Sequence, residues 1–270
     1  MGTSDERVTI DLPARLLESA RTLMHETNYA SASVILDQVD AAIALQEGHD
    51  STDVREAILW ERAQLYRDTG RPDAAVGCYD RLTLLTSERG DRDALTKAKL
   101  GKVIASMNSG RVTEALAYLK EASIEALKTK NPEYLPELGF WWARIFEEAG
   151  RIEVARGIIR RRVLRQSDDL EPADLRSARH AFHMRLCLES DSRDFSTAER
   201  SLETSISLVS ESSPLLRQAQ AAMAEALFLV VTGDRTNGER KLALARSILH
   251  IAGISSRQAD EIERILIGTA

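Results

Sequence analysis

Three residues that could bind a metal ion lie close together in one segment of the chain. His180, His183 and Cys187 are spaced at i, i+3 and i+7, which places them on one face if the segment is helical. Imidazole and thiolate groups are ligands of zinc and of other transition metals. Structural zinc sites usually have four protein ligands, and no fourth is evident here. We therefore expect no bound metal, with the histidines as polar surface groups and the cysteine in packing.

A basic segment precedes these residues. It reads Arg156-Gly-Ile-Ile-Arg-Arg-Arg-Val-Leu-Arg165 and contains five arginines and no acidic residue. Such a segment could contact nucleic acid or an acidic protein surface. The whole chain carries a net charge of −6, which argues against nucleic acid as the main partner because phosphate binding needs a basic surface. We favour a solvated helix face whose arginines pair with neighbouring Glu and Asp.

Catalytic motifs are not recognisable in the sequence. It contains no nucleophile elbow, no glycine-rich phosphate-binding loop and no HExxH metalloprotease pattern. The prediction is a protein that is not an enzyme and needs no cofactor. An active site assembled from distant residues would leave no local motif, so catalysis on a helical scaffold stays open as an alternative.

The composition is that of a folded protein in a reducing compartment. Of the 270 residues, 43% are hydrophobic and 29% are charged, enough for a sizeable core and a soluble surface. Cys78 and Cys187 both lie in helical patterns, so a disulfide framework is not expected and a cytoplasmic location is. The most apolar run, 226–231, is far shorter than the ~20 residues of a membrane-spanning helix, and the N-terminus lacks a signal peptide. We expect no membrane association.

Glycine and alanine reveal an internal repeat of about forty residues. Gly70, Gly110 and Gly150 are 40 residues apart, and each is followed by arginine and, four residues later, by alanine. Glycine commonly ends a helix because it tolerates left-handed dihedral angles. Small residues recur through the chain at intervals of 43, 40, 40, 43 and 40, at Ala32, Ala75, Ala115, Ala155, Ala198 and Gly238. We expect each of these anchors to let one helix pack closely on another.

The apolar spacing between the anchors is three and four residues, which is typical of helices, and no stretch alternates with period two. Helices are predicted near 12–26, 30–46, 53–69, 72–89, 92–109, 112–129, 135–149, 152–166, 173–190, 196–210, 214–232, 235–251 and 256–267. Prolines are expected at helix starts, at Pro13, Pro72, Pro132, Pro172 and Pro214, with a helix beginning between Pro132 and Pro136. The fold predicted is all-α, a right-handed α-solenoid of about six helix-turn-helix repeats.

These repeats define the expected domain organisation. A flexible leader over 1–11 precedes a superhelical domain over 12–252. The repeats within it are 12–50, 51–90, 91–130, 131–170, 171–212 and 213–252. Residues 253–270 form a capping helix, which a solenoid needs to cover its last open edge.

Residues 56–89 carry the best match to a known family. They contain small Ala63, aromatic Tyr66, the Gly70-Arg71 turn, then Ala75 and Tyr79. This pattern resembles the tetratricopeptide repeat, and the resemblance extends over 12–252. Departures from the family pattern are Val103, Arg162, Leu186 and Gly238.

The resemblance implies that the first helix of each hairpin lines a concave groove. The groove residues it implies are Arg21, Trp60, Gln64, Arg67, Lys97, Met107, Phe140, Arg144, Glu147, His180 and His183. Aromatic residues and arginines are common at binding hot spots, although the same residues at helical spacing can also fill a core. The function implied is a protein- or peptide-binding adaptor, and homodimerisation is possible because solenoid ends often pair. The alternative is the ligand- or peptide-sensing module of a bacterial transcription or signalling system.

Overall fold

The structure is a computed structural model, and it describes residues 6–26, 28–44, 52–164, 172–252 and 257–268. Within these ranges the regular elements are all helical. The helices are α1 (Glu6–His25), α2 (Tyr29–Ala44), α3 (Thr52–Asp68), α4 (Pro72–Glu88), α5 (Arg92–Asn108), α6 (Val112–Thr129), α7 (Tyr134–Glu148), α8 (Ile152–Ile158), α9 (Ala173–Glu189), α10 (Phe195–Ser207), α11 (Leu215–Thr232), α12 (Arg235–Ile251) and α13 (Arg257–Gly268). The predicted all-α class, with helical hairpins followed by a closing helix, is confirmed.

The helices form two compact units. The first comprises Met1–Lys130 and the second Asn131–Ala270. Helices α1 to α6 make three antiparallel hairpins in the first unit, and α7 to α12 make three in the second. Helix α13 packs on α11 and α12 and buries Ala259 and Ile262, as a capping helix should.

In the first unit, each hairpin contributes its first helix to one layer and its second helix to another. The first helices α1, α3 and α5 pack on one another. Among the described residues, α2, α4 and α6 pack on first helices but not substantially on one another. Because the closer-spaced layer of a curved stack lies on its inside, the face formed by α1, α3 and α5 is the inner face of this unit.

Local backbone requirements explain where the helices end. Gly70, Gly110 and Gly150 have φ of 72°, 74° and 71°, the left-handed conformation that favours glycine. After α3, Arg71 N donates to Tyr66 O at 2.7 Å, the bond that closes a Schellman motif. The predicted glycine turns are therefore confirmed, and Gly90 makes one more, with φ of 70° at the end of α4.

The small anchors pack as expected. The five alanine anchors are fully buried, and Gly238 is buried as well. A Cβ at Gly238 would lie 2.6 Å from Val230 Cγ2, so this departure from alanine gives room for a closer helix contact. In the third hairpin, Val103 is buried at the family's small position, and the close approach lies two residues earlier. A Cβ at Gly101 would lie 2.3 Å from the Tyr79 ring.

Three local predictions need correction: the leader over 1–11, Pro13 at a helix start, and the length of the eighth helix. Helix α1 begins at Glu6, with Pro13 inside it, so residues 6–11 are helical where a leader was expected; residues 1–5 lie outside the described part of the chain. Helix α8 ends at Ile158 and continues as a π-helix, Ile159–Val163, where an α-helix to 166 was expected. The extra residue per turn places Arg160, Arg161 and Arg162 in the exposed part of that turn.

Helix α11 is apolar enough to need comment. Leu215–Thr232 has 18 residues and a mean hydropathy of 1.2, and among the described helices it alone has the length and composition of a membrane span. The core helix of a water-soluble protein has the same properties. Helix α11 packs against α9, α12 and α13, and Ala219, Met223 and Ala226 are buried in that core.

Candidate functional site

Helix α3 carries three of the predicted groove residues, and two of them take part in the packing of the first unit. The Trp60 ring meets the buried Tyr79 ring edge-on, with centroids 5.9 Å apart. Arg67 Nε donates to Asp68 Oδ1 at 2.8 Å. Gln64, one turn away from each, is partly exposed. These three side chains are an indole, an amide and a guanidinium whose charge is paired with Asp68.

An ion pair joins α1 to α3 on the inner face of the first unit. Arg21 Nε donates to Glu61 Oε1 at 2.7 Å, and this hydrogen bond raises the pKa of Arg21. The arginine side chain is 47% exposed and that of Glu61 only 10%, so the charged end of Arg21 is accessible while its partner is covered. On α5, Lys97 is exposed and pairs with Asp93 at 3.1 Å.

Aromatic rings dominate the corresponding part of the second unit. Phe140 of α7 meets Phe182 of α9 edge-on, with centroids 5.4 Å apart. Trp141 lies 5.1 Å from Phe140, also edge-on. Edge-to-face pairs of this kind add about 0.5–1.5 kcal/mol beyond the area they bury. The rings therefore form a connected apolar bridge between α7 and α9.

Three arginines lie over these rings. The guanidinium carbons of Arg144 and Arg185 are 5.2 Å and 5.3 Å from the centre of the Phe182 ring. That of Arg179 is 5.8 Å from the centre of Phe140. All three distances are within the ~6 Å range of cation–π attraction.

Two glutamates neutralise these arginines. Glu147 pairs with Arg144 at 3.1 Å and with Arg185 at closer range. Glu137 accepts from Arg179 at 2.8 Å and from Trp141 Nε1 at 2.6 Å. Burial lowers the pKa of Arg144, as expected when a cation leaves water. We call this set the α7–α9 cluster; it comprises Glu137, Phe140, Trp141, Arg144, Glu147, Arg179, Phe182 and Arg185.

Phe140, Arg144 and Glu147 of the cluster were predicted as groove residues, and the other five were not. The signal for them lies in helical spacing. Glu137 lies three residues before Phe140, and Arg179, Phe182 and Arg185 follow one another at intervals of three. These spacings put the residues on one face of each helix, but which faces meet depends on the packing of α7 with α9.

Met107 and His183, both predicted in the groove, are buried instead. Met107 is 7% exposed and His183 is 3% exposed. His183 Nδ1 and Ser201 Oγ of α10 are hydrogen-bonded at 2.8 Å, so this side chain points into its own hairpin. Burial, together with the nearby His180 and Arg156, lowers the pKa of His183 to about 4.

The other potential metal ligands surround His183. Cys187 Sγ lies 3.8 Å from His183 Nε2 and is fully buried, while His180 is partly exposed. Burial raises the pKa of the Cys187 thiol, which favours the protonated form that does not bind metal. No group of three or more His, Cys, Asp or Glu suited to a metal occurs among the described residues.

The basic segment is divided in the structure. Arg156 donates to Asp194 at 2.8 Å and to Ser190 at 3.3 Å, so it pairs with an acidic neighbour as expected. Arg161 Nε donates to the carbonyl of Gly157 at 3.1 Å. Arg165 lies outside the described residues.

Comparison with known proteins gives the fold a context. No protein-family profile matches the chain, and no curated protein matches it in sequence. The Rap conjugation gene regulator of the plasmid pLS20, in complex with the Phr* peptide, aligns with a TM-score of 0.75 and 13% identity over 98% of this chain and 78% of that one.

Two further solved structures are similar. NprR in complex with its cognate peptide NprX aligns with a TM-score of 0.68 and 12% identity, over 98% of this chain and 73% of that one. The apo form of RapI aligns with a TM-score of 0.61 and 10% identity, over 95% and 96% of the two chains. At these identities the likeness concerns the fold alone, and the chain shares the helical fold of these proteins.

Proposed function

We propose that this chain is a peptide-binding module built on a tetratricopeptide-like scaffold, and that the α7–α9 cluster is the centre of its binding face. The observation that carries the proposal is the partly exposed set of Phe140, Trp141 and Arg144 on α7, which packs on the buried Phe182 of α9. Aromatic residues and arginines supply most of the energy at protein interfaces. The arginines are already paired and oriented, so a ligand would meet a preorganised surface.

A peptide suits this surface because it combines apolar rings with charges of both signs. Phe140 and Trp141 can pack against an apolar side chain of the ligand. Arg144, 29% exposed at its side chain, can donate a hydrogen bond to a ligand carboxylate in addition to its pairing with Glu147. Two of the similar structures contain a bound peptide, Phr* and NprX respectively, which supports a peptide as the ligand class.

A regulatory role is the second candidate. The name of the pLS20 protein describes a gene regulator, and NprR is described as a quorum sensor, which favours a sensing module over a passive adaptor. In this role the peptide would change the association of the chain with an effector protein. The proposal includes a cytoplasmic location, no catalytic activity and no nucleic acid as the main partner.

The test is selection from a random peptide library on the immobilised full chain, followed by fluorescence polarisation with the selected peptide. Arg144→Gln and Phe140→Leu should each weaken binding about tenfold or more, since each removes a hot-spot contact. Arg240→Gln, an exposed arginine of α12, is the matched control and should bind as the parent does. Unchanged affinity in both cluster variants, with helical circular dichroism retained, would refute the assignment of the site.

Regulation and self-association need separate measurements. If the chain is a sensor, pull-down from the native lysate with and without the selected peptide should recover different effector proteins. Identical recovery would leave adaptor function as the better description. Light scattering at several concentrations should show whether the chain forms the homodimer that we allow for.

A further inference from the structure

A cleft opens on the other side of α3, in the first unit. It lies between the second helices α2 and α4 and has a volume of about 580 Å³, within the ~300–1,000 Å³ typical of small-molecule sites. The described residues that line it include Ile43 of α2, Ile58, Leu59 and Arg62 of α3, and Gly77 and Arg81 of α4. None of them belongs to the groove residues or to the α7–α9 cluster.

The wall of the cleft is largely apolar. Ile43 and Ile58 are buried, and Leu59 and Tyr66 are partly buried beside them. Gly77 of α4 lines the opposite side, and a Cβ added there would have no atom within 4 Å. The cleft therefore has space next to Gly77 and an apolar surface that a ligand could cover.

Positive charge exceeds negative charge around the cleft. Arg62 spans two aspartates, with its Nη2 at 2.6 Å from Asp37 and 2.7 Å from Asp40. Arg55 and Arg81 are exposed, and neither pairs with a carboxylate among the residues that the structure describes. The sum over these five groups is one positive charge, and both unpaired guanidiniums line the opening.

One buried donor in the cleft has no partner. Arg62 Nε is buried, and no described residue accepts a hydrogen bond from it. A buried donor without an acceptor costs about 1–3 kcal/mol, and such groups are rare in native proteins. A ligand carboxylate that drew the partly exposed Arg62 side chain into the cleft would supply the missing acceptor.

We infer that this cleft binds a small organic anion, an apolar body that carries one carboxylate. The apolar body packs on Ile43, Ile58 and Leu59, and the carboxylate lies among Arg55, Arg62 and Arg81. A metal cation does not fit, because Asp40 is already paired with Arg62. Covalent attachment through Cys78 does not fit either, since burial raises the pKa of its thiol and the thiolate is the nucleophile.

The site is independent of the proposed peptide site, which lies in the other unit. Its occupation can still affect the inner face of its own unit. Leu59 and Arg62 in the cleft alternate along α3 with Trp60 and Gln64, which the repeat resemblance assigns to the groove. A ligand in the cleft would therefore hold the helix that presents those groove residues.

The test is calorimetric titration of the full chain with 4-phenylbutyrate, and with 4-phenylbutanamide as the uncharged analogue. The carboxylate should bind and the amide should bind about tenfold more weakly or not at all, because a hydrogen bond to a charged group is worth about 1.5–3 kcal/mol. Equal binding of the two, or binding of neither, would overturn the inference.

Three variants locate the binding. Gly77→Phe should fill the cleft and abolish binding while the melting temperature is kept, since the added side chain meets open space. Arg81→Gln should weaken binding of the carboxylate about tenfold. Arg92→Gln, an exposed arginine of α5 outside the cleft, should leave it unchanged. Unaltered binding in Gly77→Phe would place the ligand elsewhere and refute the site.

Discussion

The inner face of the first unit and the α7–α9 cluster of the second use buried carboxylates in different ways. In the first unit, Glu61 pairs with Arg21, whose side chain is 47% exposed. In the second, Glu147 is 7% exposed and lies between Arg144 and Arg185, which are 29% and 13% exposed. Glu61 thus pairs with a cation that is already solvated by water, whereas Glu147 pairs with two cations that are largely shielded from water.

The two units also differ in how closely their helices approach each other. At Gly101 of the first unit a helix backbone lies close to the buried Tyr79 ring. In the second unit, α7 and α9 meet through long side chains of arginine, phenylalanine and glutamate. The comparison teaches that helix contacts in one repeat design can be stabilised by close packing, as between α4 and α5, or by charge compensation, as between α7 and α9. A buried charge network leaves polar groups available for a ligand, which close packing does not.

Removing the charge of Glu147 should have the largest effect on stability. In Glu147→Gln the two guanidiniums stay near each other and partly buried without their carboxylate. Loss of one partner from a buried ion pair costs about 3–5 kcal/mol. Urea unfolding in a Trp60→Phe background measures this loss in the free energy of unfolding, because Trp141 and Trp142 then report on the second unit. A loss below about 1 kcal/mol would contradict the buried-network description.

Acid should destabilise the second unit through His183. Its pKa is lowered from 6.5 to about 4 in the folded protein, so the unfolded chain binds a proton more readily between these values. The contribution of His183 to stability is complete above pH 6.5. It falls by about 3 kcal/mol in all as the pH drops from 6.5 to about 4, and it changes no further below that. Unfolding measured across this range should show the slope.

Two asparagine variants isolate that effect. His183→Asn keeps a group that can bond to Ser201 and removes the titration, so the slope between pH 6.5 and 4 should flatten. His250→Asn replaces an exposed histidine of α12 and should leave the slope intact. An equal slope in the parent and in His183→Asn would show that other groups cause the acid sensitivity.

The sequence predicted the helix ends and the small packing positions better than the side-chain contacts on the helix faces. Gly70, Gly110 and Gly150 were identified because a left-handed backbone at a helix end is a local requirement that glycine meets. The alanine anchors followed from spacing, because small residues are needed wherever two helices cross closely. Both features depend on residues near each other in the chain.

Side-chain partners depend on residues far apart, and prediction was weaker there. Glu137 and Arg179 form a hydrogen bond across 42 positions, which no pattern within one helix indicates. His183 was assigned to the groove from its position in the repeat, but the packing of α9 on α10 turns it toward Ser201. The cleft beside α3 was missed for the same reason, since three separate helices line it.

Two glycine substitutions should separate close packing from open space. Gly101→Ala places a Cβ 2.3 Å from the Tyr79 ring, and such overpacking costs about 1–3 kcal/mol. Gly77→Ala meets no atom within 4 Å and should stabilise the protein by about 0.5–1 kcal/mol through helix propensity. Both sites are interior to helices, so the difference in thermal unfolding between the two variants reports on the room available for the added Cβ. Melting temperatures that shift in the same direction would contradict the close approach.

The smallest effect is expected for Glu61→Gln, the counterpart of Glu147→Gln in the first unit. Glutamine keeps an oxygen that can accept from Arg21 Nε, and the half-exposed guanidinium regains water where it loses the carboxylate. Ion pairs with exposed partners contribute about 0–1 kcal/mol, so the free energy of unfolding should fall by no more than about 1 kcal/mol. Trp60 fluorescence in a Trp141→Phe, Trp142→Phe background reports on this unit. A loss as large as that of Glu147→Gln would mean that burial of the carboxylate, and not exposure of its arginine partners, sets the cost, and the contrast between the inner face of the first unit and the α7–α9 cluster would then disappear.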